Sequence, residues 1–422
     1  MLGAGPSGLA VAKALGERGI PYAQVESTDH VGGNWAHGVY STAHIISSRR
    51  IIEYTDHPMP SDWPDFPSAD QMRRYYEDYT DSYDLRRHIR FDTEVSSVVP
   101  LPDGSWQVTM RDGTGEVFKG VAVCNGHHWD KVLPPWAAAF AGELIHSKDY
   151  KHPDQLRGKR VLVLGGGNSG CDIVSEAARV GAAHWSLRRG YWFMPKTLLG
   201  RPTVELMRPW MPLAAQRVMV RAALRLVIGR YSDYGLPTPD HRLFQAHPTV
   251  STEVFHYLKH GRITVQPDVS HVEGDMVHFT DGTSDRYDQI VCATGYATSF
   301  PFLPVGIVPV VGKTPQVVGG MLVPGQRNLF IVGAFQARYG IGPLIRPAAE
   351  LLAHWVGLQN ELDTPLSSLL TRLGAKPPRD HLMDPHQALA NMRRAPMWDP
   401  LIRWTDRRHS RRTTDGTPAN AA

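Results

Sequence analysis

Cysteine is scarce in this 422-residue chain. Only Cys124, Cys171 and Cys292 are present, and no two of them form a C-x-x-C pair. This scarcity excludes a disulfide framework of the kind found in small secreted proteins, and it excludes a dithiol redox centre. Because the chain needs no disulfides, the sequence predicts a protein of a reducing compartment, the cytoplasm.

Long apolar runs are also absent. There is no stretch of about 18 apolar residues and no signal peptide with a basic start, so no transmembrane segment is predicted. A helix expected over 213–228 carries three arginines at four-residue spacing. We interpret this stripe as the solvated face of a domain helix and expect no peripheral membrane contact.

Charge of one sign is not in large excess. The chain has 45 basic and 41 acidic residues, which gives a formal net charge of +4. Proteins that bind nucleic acid usually concentrate a stronger basic excess on one face, so we expect no nucleic-acid partner. The sequence also lacks a G-x-S-x-G nucleophile signature, and we predict no metal site.

Two glycine-rich segments of the form G-x-G-x-x-G are the most informative feature that is present. In this pattern the first glycine makes a tight turn after a strand, the second lets backbone approach a pyrophosphate, and the third lets a helix pack closely. Each segment precedes a predicted helix, and the duplication predicts two dinucleotide sites. The binding positions are Gly3, Gly5, Pro6, Ser7 and Gly8 in the first segment and Gly165, Gly167, Asn168, Ser169 and Gly170 in the second.

The first segment leads to an acidic strand end. A strand predicted over 21–26 ends in Glu26, 18 residues after Gly8. A carboxylate there accepts hydrogen bonds from ribose hydroxyls and repels a 2′-phosphate, so the site is expected to take FAD or NAD. The turn formed by Gly33, Asn34 and Trp35 is interpreted as backbone close to the ligand with an aromatic cover. An ordinary exposed glutamate and a core tryptophan are the alternatives.

Only two residues precede Gly3, whereas such a segment normally follows a buried strand of about five residues. We therefore expect translation to begin upstream of Met1. The alternative is a fold that tolerates a shortened central strand.

The second segment has a complete first strand and a basic strand end. The apolar run 160–164 precedes Gly165, and a strand predicted over 183–187 is followed by Arg188 and Arg189. A guanidinium group matches a 2′-phosphate with two parallel hydrogen bonds, so this site is expected to prefer NADPH. Two arginines on a solvated turn are the alternative.

A longer motif lies between the two segments. Residues 140–151 fit F-x-G-x-x-x-H-x-x-x-[YF]-[KR], with the last two places held by Tyr150 and Lys151. This resembles the identifying motif of flavin-containing monooxygenases, whereas their Baeyer–Villiger relatives carry Trp followed by Pro or Asp at those places. Thr294 and Gly295 stand in an A-T-G-Y turn that is similar to the family's crossing between two domains, and we include both as cofactor-binding candidates.

The resemblance implies an NADPH- and O2-dependent flavoprotein monooxygenase similar to N,N-dimethylaniline monooxygenase. FAD and NADPH are the implied cofactors. A small molecule with a soft nucleophile, an amine nitrogen or a sulfide sulfur, would receive oxygen from a flavin C4a-hydroperoxide. Two alternatives stay open: a Baeyer–Villiger oxygenase of ketones, which Tyr150 and Lys151 disfavour, and an NADPH oxidase or flavin reductase that produces mainly hydrogen peroxide.

One position departs from the family pattern. Many members carry an asparagine that faces the flavin where this chain has Ile46. The adjacent Ser47 and Ser48 are candidates to supply the missing hydrogen bond, because a hydroxyl carries one donor that rotates to suit. His146 of the long motif is interpreted as holding the connection between domains, with a direct role in proton transfer as the alternative.

These observations predict an α/β fold with two Rossmann-like, three-layer dinucleotide-binding domains, the second inserted into the first. The first part of the FAD-binding domain is assigned to 1–151, the NADPH-binding domain to 152–289 and the second part of the FAD-binding domain to 290–405. A disordered basic tail is expected over 406–422, because this segment shows no apolar periodicity.

Overall fold

Two parallel sheets organise the chain, and each contains the strand that leads into one of the glycine-rich segments. The computed structural model of the protein describes residues 1–207 and 211–414, with side chains through residue 410. The prediction of an α/β fold with two Rossmann-like lobes is confirmed. We call the part built around the first sheet the flavin lobe and the part built around the second the nucleotide lobe.

The centre of the flavin-lobe sheet is occupied by Leu2. Leu2 forms parallel bridges to Val25 on one side and to Val123 on the other. Its amide donates to the Ala122 carbonyl at 2.9 Å. The strands follow in the spatial order Ile89–Arg90, Gln24–Val25, the Leu2 bridge, Val121–Val123 and Leu329–Ile331.

The sheet of the nucleotide lobe has five complete parallel strands. Its three inner strands are buried except for the first residues Arg160 and Ala182, as expected for a sheet covered on both faces. The domain boundaries stay predictions. One strand of this sheet, at 143–146, precedes the boundary predicted between residues 151 and 152. The strands follow in the spatial order Ile263–Gln266, Ala182–Ser186, Arg160–Leu164, Gln289–Cys292 and Glu143–His146.

Each lobe also carries a three-stranded antiparallel sheet, which in both lobes comes just before the strand that pairs with the strand leading into the glycine-rich segment. In the flavin lobe its strands are Val95–Pro100, Trp106–Met110 and Gly115–Phe118; in the nucleotide lobe they are Val269–Glu273, Met276–Phe279 and Ser284–Arg286. The remaining strands form short pairs: Phe193–Met194 with Thr249–Val250, Thr197–Leu198 with Arg201–Pro202, Asp130–Lys131 with Tyr296–Ala297, Val310–Val311 with Thr314–Pro315, and Gln336–Ala337 with Leu382–Met383.

Helices cover the sheets. Residues 1–207 and 211–414 contain no helix that combines the length and apolar composition needed to cross a bilayer. The α-helices are α1 Pro6–Glu17, α2 Asn34–His37, α3 Arg49–Ile52, α4 Ala69–Ser82, α5 Asn168–Val180, α6 Leu213–Val227, α7 Glu253–Lys259, α8 Gly342–Gln359, α9 Leu366–Arg372, α10 Pro385–Arg394 and α11 Asp399–Thr414. Single 3-10 turns lie at Arg86–His88, Ala137–Ala139, Pro153–Leu156, Thr203–Leu206, Tyr231–Tyr234 and Ala395–Trp398.

The core of the flavin lobe forms where α1 packs on α8. Leu9 and Val11 of α1 are fully buried in the same apolar cluster as Leu352 and Ala353 of α8. Burying one large aliphatic side chain contributes about 1.5–3 kcal/mol. This contact therefore fixes the helix that begins at the first glycine-rich segment.

The predicted disordered tail is wrong for its first part, because α11 continues through Thr414. Ile402 is fully buried, and the Asp406 carboxylate accepts backbone hydrogen bonds from Asp363 at 3.0 Å and Thr364 at 2.9 Å. These tertiary contacts order a segment whose own sequence has little helical patterning. Residues 415–422 of the predicted tail lie outside the described residues.

Candidate functional site

The first glycine of each segment sits in a backbone conformation that excludes other residues. Gly3 has φ +103° and Gly165 has φ +99°, both in the region that favours glycine. A Cβ atom on Gly3 would lie 2.6 Å from the Cys124 carbonyl oxygen, and one on Gly165 would lie 2.6 Å from the Ala293 carbonyl oxygen. The predicted tight turn is thus present twice, with the same neighbour geometry.

The other glycines divide into packing and open positions. A Cβ atom on Gly8 or Gly170 would lie 2.1 Å from the carbonyl oxygen of the segment's first glycine, so both permit close packing of helix on strand. Gly167, by contrast, would place a Cβ atom with no neighbour within 4 Å, and Gly5 meets only backbone of Gly33, at 3.6 Å. Open backbone at a helix N-terminus suits an approaching pyrophosphate.

In each segment a side chain donates a hydrogen bond to the carbonyl of the first glycine. Gln24 donates from Nε2 to the Gly3 carbonyl at 2.9 Å, and Trp185 donates from Nε1 to the Gly165 carbonyl at 2.9 Å. In each lobe the donor lies on the strand that follows the helix of the glycine-rich segment. A side chain from that strand therefore holds the turn at the first glycine in place.

Glu26 lies directly against the first segment. Its side chain is buried, Oε2 accepts from the Ala4 amide at 2.7 Å, and Oε1 accepts from the Thr28 amide at 3.1 Å. The alternative of an exposed glutamate is wrong, because the residue is only 7% exposed. Its contact with a ribose stays a prediction.

The turn of Gly33, Asn34 and Trp35 adjoins the same segment. Gly33 has φ +58°, and a Cβ atom on it would lie 3.0 Å from the Gly5 Cα. Trp35 is partly buried against the apolar clusters of both lobes. The core interpretation of this tryptophan is thus supported, and its role as a cover for a ligand ring stays a prediction.

The predicted NADPH-binding residues surround the second segment. Asn168 Oδ1 accepts from the Val250 amide at 2.7 Å, and Ser169 lies in the first turn of α5. Arg188 and Arg189 follow the strand Ala182–Ser186 and are exposed, so their guanidinium groups are accessible to the phosphate of a nucleotide. Their contact with a 2′-phosphate stays a prediction.

His146 is held by two backbone groups. Its Nε2 donates to the Gly295 carbonyl at 3.1 Å, and its Nδ1 accepts from the Lys148 amide at 3.1 Å. Burial lowers the pKa of this imidazole, so it is neutral at neutral pH. Thr294 in the same turn donates to the Val132 carbonyl. The geometry supports the structural interpretation, in which the motif histidine fastens the connection between the lobes.

Two acids on α5 join the lobes. Asp172 accepts a hydrogen bond from the Tyr40 hydroxyl at 2.6 Å. Glu176, one turn later and buried, accepts hydrogen bonds from the Thr42 and Tyr150 hydroxyls. Tyr40 and Thr42 belong to the flavin lobe, and Tyr150 belongs to the identifying motif. This cluster, which we call the acid clamp, fixes one lobe against the other.

A cavity of about 260 Å³ lies where the lobes meet. Ile46 and Ser47 line it, so both positions singled out from the sequence reach the lobe junction. The flavin lobe also contributes Ile52, His127, His128 and residues 335–341, and the nucleotide lobe contributes Met194, Val204, Met207, Phe244, His247, Pro248 and Val250.

Ser48 is the more unusual of the two candidate serines. It is fully buried, and its Oγ has no hydrogen-bond partner among the described residues. A buried hydroxyl without a partner costs free energy unless a ligand satisfies it. This observation makes Ser48 a suitable donor to a bound group.

Sequence reasoning missed several polar residues of the cavity, among them His127, His128, His247, Arg338 and Tyr339. The histidine doublet directly follows the turn at Gly126, which occupies the same place in its lobe as Gly295. That repeated position is a signal that could have identified the doublet. The other three come from distant parts of the chain and carry no local pattern.

Comparison with known proteins places these features in context. A family model described as flavin-binding monooxygenase-like matches residues 1–359. Flavin-containing monooxygenase 5 of Oryctolagus cuniculus is 31% identical over 420 residues, which cover 89% of this chain and 77% of that protein. Flavin-containing monooxygenase 2 of Homo sapiens is 31% identical over 386 residues, which cover 84% and 72%.

Solved structures share the fold at lower identity. A flavin-containing monooxygenase from Stenotrophomonas maltophilia superposes with a TM-score of 0.65 at 20% identity and covers 84% of this chain and 97% of its own. A cyclohexanone monooxygenase bound to epsilon-caprolactone gives a TM-score of 0.72 at 19% identity, with 94% and 97% covered.

Alanine substitutions at Gly170 and Gly167 distinguish a glycine needed for folding from a glycine needed for ligand binding. We expect Gly170→Ala to lower the free energy of unfolding by about 1–3 kcal/mol, because its Cβ would collide with the Gly165 carbonyl. Gly167→Ala should change that free energy by less than about 0.5 kcal/mol but weaken NADP+ binding roughly tenfold. Urea unfolding and NADP+ titration measure the two effects. Equal stability of both variants would contradict this account of the packing.

The acid clamp predicts a pH dependence. Burial raises the pKa of the Asp172 carboxyl above its ordinary value of 3.8, although the Tyr40 hydroxyl opposes this. The folded state thus holds the proton more tightly than the unfolded chain, and the resulting stability is complete below pH 3.8 and lost as pH rises through the folded pKa. The wild type should lose stability relative to Asp172→Asn on going from about pH 4 to 7, by at most about 1.4 kcal/mol per pH unit.

Urea unfolding at several pH values measures this difference. Asp62→Asn, at an exposed acid, is the control and should follow the wild type. If the difference between the wild type and Asp172→Asn stays constant across this range, the clamp carboxyl does not titrate as described.

Proposed function

Because this chain belongs to the flavin-containing monooxygenase family, a family of FAD-dependent NADPH oxidoreductases, we propose that it oxygenates the sulfur of a sulfide that carries no cationic group. The overall reaction converts the sulfide, O2, NADPH and a proton into the sulfoxide, water and NADP+. One oxygen atom forms the S–O bond, and the other leaves as water with two electrons from NADPH. The cavity at the lobe junction is the proposed site.

The flavin lobe is proposed to hold FAD. Bound FAD, reduced by NADPH, supplies the activation of O2. Gly5 leaves open backbone for the pyrophosphate, and Glu26 lies beside that backbone to accept from the ribose. Ser48 offers a buried hydroxyl that lacks a protein partner, and Ser47 faces the cavity. Open backbone, a neighbouring carboxylate and two hydroxyls are groups that fit the chemistry of FAD.

The nucleotide lobe is proposed to hold NADPH. Gly167 provides open backbone at the N-terminus of α5, and Arg188 with Arg189 provides two exposed guanidinium groups at the neighbouring strand end. The dipole of α5 favours the negative charge of a pyrophosphate at its N-terminus. This lobe also supplies wall residues of the cavity, so a nucleotide bound here would belong to the same lobe as part of the proposed site of oxygen transfer.

The charge of the cavity carries the proposal. Among the described residues that line it there is no aspartate or glutamate. Burial lowers the pKa of His127 and of His247, so both imidazoles are neutral at neutral pH. An ammonium group would therefore lose its hydration and find no counter-ion. A sulfide carries no charge at any pH, whereas most alkyl amines are protonated at neutral pH and their lone pair is blocked.

One cation does line the cavity. Arg338 is 10% exposed, and its Nη1 donates to Asp384 Oδ2 at 2.8 Å. Its Nε is buried and has no partner among the described residues. This N–H can donate to an oxygen of the substrate, so we propose that an acidic sulfide is accepted as readily as a neutral one.

The remaining wall is suited to exclude water. Met194, Phe244, Phe335 and Ile341 surround the polar groups with apolar surface. Removal of water strengthens electrostatic interactions within a site and protects reactive species from hydrolysis.

We further propose a cytoplasmic location with a small molecule and O2 as the partners in the reaction. The three cysteines are free and buried, which agrees with a reducing environment.

A series of aryl methyl sulfides with a neutral, a carboxylate or an ammonium substituent tests the proposed selectivity. We expect kcat/KM for the neutral and acidic members to exceed that of the ammonium member roughly 10- to 100-fold, the equivalent of about 1.5–3 kcal/mol for a charged hydrogen bond. Sulfoxide formation and NADPH consumption are measured together. A preference for the ammonium member would contradict the proposal.

The double variant Arg338→Gln with Asp384→Asn is the matched control for that series, because it removes both members of the ion pair and leaves neither charge unpaired. It should lower kcat/KM for the acidic sulfide and leave the neutral sulfide nearly unchanged. Equal loss for both substrates would assign Arg338 a structural role only.

A second function is favoured by one observation. Ile46 lines the cavity where many family members present an asparagine, so the amide donor is replaced by an apolar side chain. Loss of a donor near the reacting centre favours release of hydrogen peroxide over oxygen transfer. The enzyme would then act mainly as an NADPH oxidase.

The ratio of sulfoxide formed to NADPH consumed decides between the two functions. We expect Ile46→Asn to raise this ratio severalfold, because the restored amide supplies a donor worth about 0.5–1.5 kcal/mol. Ile46→Leu keeps the cavity apolar and should leave the ratio unchanged. A wild-type ratio near zero that neither variant alters would favour the oxidase.

A further inference from the structure

Two histidines and a glutamate meet on the antiparallel sheet of the nucleotide lobe, away from the cavity. His271 and His278 lie directly opposite each other on the strands Val269–Glu273 and Met276–Phe279. Their rings stack with centroids 4.3 Å apart and planes 1° from parallel. Glu273 is two residues beyond His271, so it emerges on the same face of the sheet.

The three side chains bring nitrogen and oxygen atoms close together. His271 Nε2 lies 3.8 Å from Glu273 Oε1, and His278 Nε2 lies 3.9 Å from Glu273 Oε2. One donor atom from each residue falls within 4.8 Å of the other two. With bonds of about 2.0–2.2 Å, tetrahedral ligands are separated by roughly 3.3–3.6 Å, so small side-chain rotations suffice to bind one ion.

The surrounding hydrogen bonds leave both Nε2 atoms available. Ser270 Oγ contacts the His278 carbonyl at 3.0 Å and His271 Nδ1 at 3.0 Å. When the single hydroxyl proton goes to the carbonyl, Nδ1 of His271 donates to the serine oxygen, and its Nε2 keeps a free lone pair. His278 Nε2 is buried and has no hydrogen-bond partner among the described residues. Such an orphaned nitrogen indicates a missing ligand.

We propose that His271, Glu273 and His278 form a binding site for a divalent transition-metal ion of the Zn2+ class. Two imidazole nitrogens and one carboxylate oxygen are typical ligands of Zn2+, Ni2+ and Cu2+, whereas Mg2+ and Ca2+ prefer oxygen ligands alone. A water molecule completes the coordination, because the site is open to solvent on the glutamate side.

The location gives the ion a structural consequence. The turn after Glu273 contains Gly274, whose carbonyl accepts from the Ala141 amide at 2.8 Å, and Phe140 forms a parallel bridge to the same glycine. Both partners belong to the identifying motif between the lobes. An ion that ties the two strands together therefore also stiffens the support of that motif.

Titration of untagged, metal-free protein with Zn2+ tests the site. We expect one equivalent to bind, to raise the midpoint of thermal unfolding, and to bind at least roughly tenfold more weakly in His271→Ala and Glu273→Gln. Both variants change exposed side chains and should fold as the wild type does. Electron paramagnetic resonance of bound Cu2+ should show nitrogen couplings from two imidazoles.

The matched control is His30→Ala. Asp29, His30 and His37 form a second exposed group of possible ligands beside Glu26, but His30 already hydrogen-bonds to Asp29. This variant should bind Zn2+ as the wild type does. Zn2+ binding that is unchanged in His271→Ala, or lost in His30→Ala and retained in His271→Ala, would overturn the proposal, as would Cu2+ spectra without nitrogen couplings. Neither result depends on the proposed oxygenation.

Discussion

The relative position of the lobes depends on the acid clamp. Two carboxylates one helical turn apart on α5 accept from three hydroxyls that come from the flavin lobe and from the connecting motif. Burying Asp172 and Glu176 without these donors would cost several kcal/mol, so the acids and hydroxyls require each other. Because α5 begins at the second glycine-rich segment, the clamp also sets where a nucleotide bound there lies relative to the flavin lobe.

The two lobes build the turn at the first glycine with equivalent contacts. In both, the first glycine lies against the carbonyl of a residue just after the neighbouring strand, where a Cβ atom would collide with it. A side chain from the strand that follows the helix donates a hydrogen bond to the carbonyl of that glycine. In both, a three-stranded antiparallel sheet comes just before the strand that pairs with the strand leading into the first glycine. What differs is the group at the strand end: a buried Glu26 in one lobe and the exposed Arg188 and Arg189 in the other. This difference in charge is the basis on which we propose FAD in one lobe and NADPH in the other.

Features that depend on local spacing could be predicted from the sequence. The helices that contain Gly8 and Gly170 and the apolar strand before Gly165 are predicted from periodicity and glycine placement, and they appear within one or two residues of the expected bounds. The fold class followed from these elements, because a strand, a tight turn and a helix in that order form one Rossmann unit.

Features that depend on distant contacts could not be predicted. Order in the segment after residue 406 comes from Asp406 binding backbone amides about 40 residues away, which no local pattern reveals. The cavity joins Ile46 to His247 and Arg338, and the orphaned hydroxyl of Ser48 is recognised only from its burial. The counter-ion of Arg338, Asp384, is likewise visible only in the folded chain.

The wall shared by both lobes has a consequence for how selectivity can evolve. Since neither lobe encloses the cavity alone, its width is a function of the angle between them, and that angle is set at Tyr40, Thr42 and Tyr150. Replacing one such hydroxyl residue by a bulkier or shorter one would change which molecules fit the cavity without altering any residue that lines it. The choice of substrate can therefore be changed by residues that are distant from the cavity.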